Sequence, residues 1–281
     1  RRRTGVKAKG ERGGRYLSRG GKAIFLLLLM GEIFGAGCLP KAHKRVKAPV
    51  VTQPSVQEVK DRHKAIYHYL YGLGKLKDGD IQGALKEYEK AISYDPSSPF
   101  LYVEKASLLL KLGRIDEVMA SCRDALSIDP DYLPARRLLA GVLAASGRRK
   151  EAVKEYRRII RAAPKDFKGY LMLASLYMDM KEYQKAIDVV GELLAKRPKF
   201  VMGLYYLARI YSEMGLYNKA LKYYEKVLEI RPHLESALME MGIVYELKGE
   251  REKAIEVYRR LLKYHPLNIP ARERLSHLLM K

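Results

Sequence analysis

Histidine and cysteine side chains are the first candidates for chemistry in this sequence, because they ligate metals and act as bases or nucleophiles. The histidines are scattered, and none lies at helical spacing from a second ligand beside a cysteine or carboxylate cluster. We therefore expect surface or turn positions for His43, His63, His68, His233, His265 and His277. The sequence also lacks a phosphate-binding loop and a nucleophile elbow. It predicts no catalytic residue, no metal site and no cofactor, and hence a protein that is not an enzyme.

Cys38 is the one reactive group with a suggestive context. A basic, glycine-rich stretch is followed by the apolar run from Ala23 to Met30 and then by Gly35-Ala36-Gly37. That order is typical of a secretory signal peptide. The apolar run is much shorter than the roughly 20 residues that a spanning helix needs. Residues 1–37 are therefore predicted to be a signal peptide.

The end of this segment resembles the lipobox of bacterial lipoproteins, in which small residues precede a cysteine that receives lipid. The resemblance implies cleavage before Cys38 and acylation of Cys38 in the mature chain. Gly35 departs from it, since the family prefers leucine or a similar residue there. An ordinary signal peptide, or a short anchor with an incidental cysteine, is the alternative.

Residues 38–62 are predicted to be a lipid-anchored linker and the start of the first helix. Its first part is rich in proline and has no helical periodicity, which indicates an extended tether. Four basic residues there would lie beside lipid headgroups: Lys41, Lys44, Arg45 and Lys47. Each would contribute about 1 kcal/mol to membrane binding on a strongly anionic surface. Ser55 and Glu58 have the spacing of a capping box, so the first helix should begin at Val56 and run to about Lys77.

Six prolines recur every 34 residues through the rest of the chain: Pro96, Pro130, Pro164, Pro198, Pro232 and Pro266. Glycines precede five of them at a constant spacing, at Gly79, Gly113, Gly147, Gly215 and Gly249. Lys181 stands at the sixth such position, so that turn should be strained or differently shaped. Because glycine suits a left-handed turn and proline ends a helix, each unit reads as helix, turn, helix, stop.

This pattern resembles the tetratricopeptide repeat family. Leu207, Ala208, Tyr211, Gly215, Ala220, Tyr224 and Pro232 carry it in the most regular unit. The resemblance implies an all-α fold, a solenoid of six helix-turn-helix repeats over residues 63–268, with a capping helix at 269–281. The repeats would span about 65–98, 99–132, 133–166, 167–200, 201–234 and 235–268. Cys122 occupies a place that tyrosines hold in other repeats, which predicts a buried structural thiol.

The resemblance also implies a concave groove, lined by the first helix of each repeat, that receives a peptide or helix of a protein partner. Register places twelve residues there: Tyr69, Leu73, Val103, Ser107, Arg137, Gly141, Leu171, Ser175, Tyr205, Arg209, Met239 and Ile243. Tyr69 and Leu73 occupy the first two places of the family's carboxylate clamp, so a chaperone-type role is disfavoured. The alternative is that these side chains pack together or face water while binding occurs elsewhere.

The formal charge of +22 favours anionic partners without choosing among them. We expect a non-catalytic scaffold in a bacterial cell envelope, anchored at the periplasmic face of the outer membrane. A lipobox joined to six such repeats resembles the pilotin lipoproteins of type IV pilus biogenesis; secretion or polysaccharide-export machinery is a further possibility. The alternative is a soluble cytoplasmic protein that binds nucleic acid or acts as a regulatory adaptor. No alternating aromatic and basic stripe supports nucleic-acid binding.

Overall fold

The computed structural model describes residues 54–280, and these contain α-helices and no strand. The helices are α1 Val56–Lys77, α2 Ile81–Tyr94, α3 Pro99–Lys111, α4 Ile115–Ile128, α5 Leu133–Ala145, α6 Arg149–Ala162, α7 Phe167–Asp179, α8 Tyr183–Lys196, α9 Val201–Glu213, α10 Tyr217–Ile230, α11 Glu235–Leu247, α12 Arg251–Tyr264 and α13 Ile269–Met280. They form six helix pairs followed by a single helix. The predicted all-α solenoid with its capping helix is confirmed.

The second helix of each pair ends just before a repeat proline. In the first repeat α2 ends at Tyr94, and Asp95, which precedes Pro96, has a φ of −133° outside the helical range. In the fourth repeat α8 ends at Lys196, and Arg197 before Pro198 has a φ of −142°. Proline disfavours helical geometry in its predecessor and has no amide hydrogen to donate, so the stop recurs at the proline period.

The turn inside each helix pair uses a left-handed residue. The five turn glycines have φ between +72° and +80°, and Lys181 has a φ of +56°. Glu182 N donates to Tyr177 O at 2.8 Å, as Leu216 N donates to Tyr211 O at 2.9 Å beside Gly215. The Lys181 turn therefore has the same shape as the others and carries backbone strain. Of the two alternatives expected from the sequence, a strained turn and a differently shaped turn, the structure shows the strained turn.

The first helix is longer than its counterparts, as its capping box predicted. Ser55 Oγ accepts a hydrogen bond from Glu58 N at 3.1 Å, and Ser55 N donates to Glu58 Oε2 at 2.6 Å. The helix runs from Val56 to Lys77, the predicted bounds. Two of its amino-terminal backbone donors are thus satisfied by the capping box itself.

Small residues allow the two helices of a pair to pack closely. A Cβ added at Gly72 would lie 2.6 Å from Tyr88 Cε1, and one added at Gly242 would lie 2.4 Å from Tyr258 Cε1. Ala186 and Cys122 are completely buried, and burial raises the pKa of the Cys122 thiol to about 12. The prediction that the Cys122 thiol is buried is confirmed.

Successive helices pack against one another along the whole described chain. First helices of neighbouring repeats also touch, as at α3 with α5, α7 with α9 and α9 with α11. They therefore form the inner layer of the solenoid, and the second helices form the outer layer. This inner layer carries the predicted groove.

Candidate functional site: the inner groove

The predicted groove residues lie on the first helices, and most of them reach solvent. Leu73 and Arg137 are exposed, and nine others are half-buried: Tyr69, Val103, Ser107, Gly141, Ser175, Tyr205, Arg209, Met239 and Ile243. Leu171 differs, because it is only 7% exposed and belongs to the hydrophobic core. It supports the groove from beneath and does not form part of its surface, contrary to its sequence assignment.

Tyr205 and Arg209 share one face of α9. The Tyr205 ring meets Tyr224 edge-on with centroids 6.0 Å apart, which orients its phenol. Burial, with help from the charge of Glu240, raises the pKa of Tyr205, so its hydroxyl stays protonated at neutral pH and can donate a hydrogen bond. Arg209 has only a loose 3.7 Å contact with Glu213 and lies 6.0 Å from the Tyr206 ring centroid. Its guanidinium is therefore available to a carboxylate on a partner.

An apolar cavity lies at the amino-terminal end of the groove. It has a volume of about 170 Å³ and is lined by Ile66, Tyr69, Phe100 and Leu101, among others. Tyr69 packs against Phe100 with centroids 5.2 Å apart, and burial raises the pKa of its phenol. This cavity has the size and lining to take one apolar side chain of a partner.

Two polar groove residues between the apolar cavity and Arg209, Ser107 and Arg137, already have partners. Ser107 Oγ donates to Val103 O at 2.9 Å, within its own helix. Arg137 NH2 lies 2.6 Å from Oδ2 of Asp166, the residue that caps α7. Ser107 and Arg137 contribute less to recognition than Arg209, because a ligand would have to replace bonds that exist.

An exposed apolar face on α1 was missed by the sequence reasoning. Ile66, Tyr67, Leu70 and Tyr71 are each at least half exposed, and the rings of Tyr67 and Tyr71 stack with centroids 6.2 Å apart. One repeat later, the position equivalent to Tyr67 is Leu101, which is only 5% exposed. Aligning the repeats could have revealed this face. An apolar residue of α1 that aligns with a buried residue of the next repeat is exposed, because no preceding described repeat covers it.

His68 also departs from the expectation of a surface or turn histidine. It lies in the middle of α1, partly buried, with Nδ1 2.7 Å from Glu87 Oε2. Lys90 Nζ lies 2.9 Å from Glu87 Oε1, and Lys90 and His68 together lower the pKa of Glu87. The cluster joins α1 to α2, so the role of His68 is in packing between the helices.

The same polar cluster recurs two repeats later, where the sequence reasoning singled out none of its members. Arg136 NH1 lies 2.7 Å from Glu155 Oε2, and Arg158 NH1 lies 2.7 Å from Glu155 Oε1. Arg136 and Glu155 are both buried. The sequence did contain a signal for this pair. Arg136 replaces the tyrosine that neighbouring repeats have at the same position, Tyr102 and Tyr170, and Glu155 stands where the next repeat has Val189.

Five family models described as tetratricopeptide repeat match the chain at residues 69–133, 109–177, 167–195, 201–234 and 236–268. Together they span the helix pairs described above. This chain belongs to the tetratricopeptide repeat family. Members of this family are in general non-catalytic scaffolds for protein interaction.

Solved structures show the same fold at low sequence identity. The carboxy-terminal part of a repeat-containing protein from Cytophaga hutchinsonii has a TM-score of 0.63 at 20% identity, covering 77% of this chain and 89% of that one. PilW, described as a type IV pilus biogenesis factor, has a TM-score of 0.58 at 20% identity, covering 75% of this chain and 98% of that one. YrrB, described as having an unusual peptide-binding site, has a TM-score of 0.50 at 20% identity, covering 67% of this chain and 97% of that one. A search of curated protein sequences found no match.

The predictions for the amino terminus concern residues that the structure does not describe. They are the signal peptide at 1–37, the lipidation of Cys38 and the headgroup contacts of Lys41, Lys44, Arg45 and Lys47. Among residues 54–280 no helix has the length and apolar character needed to cross a membrane. The same residues contain no group of three or more histidines, cysteines or acids arranged to hold a metal ion.

Proposed function

We propose that this tetratricopeptide repeat protein is a non-catalytic scaffold that binds a peptide or helix of a protein partner in its inner groove. The observation that carries the proposal is the pairing of an open apolar cavity beside Tyr69 with the available guanidinium of Arg209 on the same layer of helices. The description of YrrB as a peptide-binding protein of this fold supports it.

The groove chemistry defines the kind of partner segment. Its apolar cavity favours an aliphatic or aromatic anchor side chain, and Arg209 favours a carboxylate elsewhere in the segment. Val103, Met239 and Ile243 provide an apolar, partly exposed surface on the same layer. A helix or extended segment with both features would satisfy the groove better than a purely acidic one.

Photocrosslinking in intact cells tests the groove. A benzoylphenylalanine residue replacing Met239 or Ile243 should form crosslinks to one protein partner. The same residue replacing Lys222 or Arg259, both exposed on second helices, should not crosslink that partner. Crosslinks of equal yield from both pairs of positions would place the binding surface outside the groove.

A binding measurement with the captured partner separates recognition from stability. Arg209→Ala should weaken affinity about tenfold, as expected for a central arginine in an interface. The matched variant Lys222→Ala should change affinity less than about threefold, because an exposed single charge contributes little. Thermal unfolding of both variants should match the parent, which shows that any loss of affinity is local.

We further propose that the scaffold is a lipoprotein of a bacterial cell envelope, tethered through Cys38 to the periplasmic face of the outer membrane. The signal-like order of residues 1–37 supports this, as does the description of PilW as a pilus biogenesis factor. The scaffold would assist assembly or localisation of an envelope complex such as a pilus, secretion or polysaccharide-export machine.

Mass spectrometry of the mature protein tests the anchor. The first residue should be Cys38 carrying acyl chains, and the protein should fractionate with membranes. Cys38→Ser should release it from the membrane fraction while leaving partner binding in the groove intact. A mature chain with an unmodified Cys38, or one recovered from the cytoplasm, would disprove the anchor and leave the groove proposal standing.

A further inference from the structure

A second concave site opens between the second helices of repeats 2 and 3, on the outer layer of the solenoid. It is a cleft of about 780 Å³ bordered by α4 and α6, with α5 as its floor. Its acidic lining residues are Asp131 and Glu155. Four arginines also line it: Arg123, Arg136, Arg158 and Arg161. We call this set the arginine cleft.

Arg136, in the floor of the arginine cleft, is buried and incompletely satisfied. Its side chain is 7% exposed; NH1 donates to Glu155, and NH2 donates to the carbonyl of Pro130. Its Nε has no hydrogen-bond partner within the described part of the chain. A buried donor left without an acceptor costs free energy, so Arg136 is held in the floor at some cost to stability.

Comparison with the next cleft shows an ion pair between second helices that the arginine cleft lacks. Between repeats 3 and 4, Arg157 NH1 lies 3.0 Å from Glu192 Oε1, joining α6 to α8. The residues at the same register in the arginine cleft are Arg123 and Arg158, two like charges. A bridging anion would supply the attraction that Glu192 supplies one repeat later.

The remaining charges leave the arginine cleft with a surplus of cations. Glu155 is shared by Arg136 and Arg158. Within residues 54–280, neither Arg123 nor Arg161 takes part in an ion pair. Guanidinium groups recognise carboxylates and phosphates through paired N–H donors, so they define an anion-binding surface.

The rest of the lining indicates what carries the anion. Leu126, Pro130, Leu139 and Ala162 supply apolar surface. None of the described residues lining the cleft is aromatic, so no platform exists for stacking a nucleic-acid base. The volume falls in the range that holds an organic ligand or a few side chains, well beyond a single inorganic anion.

We propose that the arginine cleft binds an acidic peptide segment that carries carboxylates on either side of an apolar side chain. The carboxylates pair with Arg123 and Arg161, and the apolar side chain packs on Leu126 and Leu139. This site is separate from the inner groove, so the scaffold can hold two segments at once, one on each layer of helices.

Fluorescence polarisation with a labelled peptide of sequence Glu-Glu-Leu-Glu-Glu-Leu tests the proposal. The full-length protein with Cys38→Ser should bind it, and should bind the matching Gln-Gln-Leu-Gln-Gln-Leu peptide about tenfold more weakly or worse. The double variant Arg123→Gln with Arg161→Gln should lose about tenfold in affinity, because it removes the two uncompensated cations. Both substitutions are at exposed positions, so folding should be retained.

Matched controls separate this site from net charge and from the groove. Lys222→Gln with Arg259→Gln removes the same charge elsewhere on second helices and should change affinity less than about threefold. In the Arg209→Ala background, where any binding of the peptide in the groove is weakened, Arg123→Gln with Arg161→Gln should still cost about tenfold in affinity, so failure of the groove proposal would not affect the result. Arg123→Glu, which recreates the opposite-charge pairing of the next cleft, should abolish binding without lowering stability.

Three results would overturn the proposal. One is the absence of detectable binding of the acidic peptide by the parent protein. Another is equal affinity for the Arg123→Gln, Arg161→Gln variant and its charge-matched control. The third is binding of a thymidine oligonucleotide of about ten nucleotides that depends on Arg123 and is tighter than binding of the peptide, which would assign the cleft to nucleic acid.

Discussion

Lys181 shows how a single residue can oppose the geometry of the repeat that contains it. Its φ of +56° is the only positive value outside glycine in the described chain, and the hydrogen bonds around it match those of the glycine turns. A left-handed conformation costs an ordinary residue about 1–2 kcal/mol, because Cβ approaches the following carbonyl oxygen. The helices on either side impose the turn, and Lys181 bears the strain.

Replacing Lys181 with glycine should therefore stabilise the protein. We expect Lys181→Gly to raise the free energy of unfolding by about 0.5–1 kcal/mol, since the relief of strain is partly offset by the greater freedom of glycine in the unfolded chain. Urea denaturation followed by circular dichroism measures the change. Lys181→Ala is the control, because alanine keeps the Cβ and should give no comparable gain; an equal gain from both would show that the lysine side chain, and not the backbone, is the source.

At the scale of the helix pair, close approach depends on where a glycine lies. Gly242 of α11 faces the Tyr258 ring of α12, and a Cβ there would come within 2.4 Å of it. A Cβ added at Gly141 of α5 would have no neighbouring atom within 4 Å. Both are in helices, so the intrinsic helix preference for alanine applies equally to the two sites.

Alanine substitutions at these two glycines should have opposite effects. Gly242→Ala should lower the free energy of unfolding by about 1–3 kcal/mol, because Tyr258 must move out of a packed position. Gly141→Ala should raise it by about 0.5–1 kcal/mol through helix propensity alone. Parallel denaturation curves test both, and a stabilising Gly242→Ala would show that the two helices have room to separate.

At the scale of the whole molecule, the described chain is a linear stack in which each repeat rests on its neighbours. The capping helix α13 packs on α12, with Ala271 fully buried and Leu278 only 9% exposed. Arg251 also donates to the carbonyl of Leu278, which ties the start of α12 to the end of α13. Loss of the cap would expose apolar surface of the sixth repeat to water.

Deletion of residues 269–281 should destabilise the stack from its carboxy-terminal end. Because repeats couple mainly to their nearest neighbours, hydrogen exchange should accelerate about tenfold or more in α11 and α12 while α1 to α4 keep their protection. Exchange measured by mass spectrometry resolves the two regions. Uniform loss of protection along the chain would instead show that the stack unfolds as a single cooperative unit.

The sequence alone determined the repeat frame, the helix boundaries and the family. Proline, glycine and the Ser55 capping box act through their own backbone and near neighbours, so their effects can be read locally. The small residues facing tyrosines recur at one period, which also made the packing between paired helices predictable. The groove positions were derived from the same register; Leu171 is buried, and partner binding at the other positions stays a prediction.

Tertiary structure decided which polar side chains meet. His68 with Glu87, and Arg136 with Glu155, come together from different helices, and their burial depends on what covers them. Arg123 and Arg161 become part of one site only when α4 and α6 are placed side by side across α5. Charge pairing across a solenoid depends on distance and desolvation between repeats, and neither is a property of local sequence.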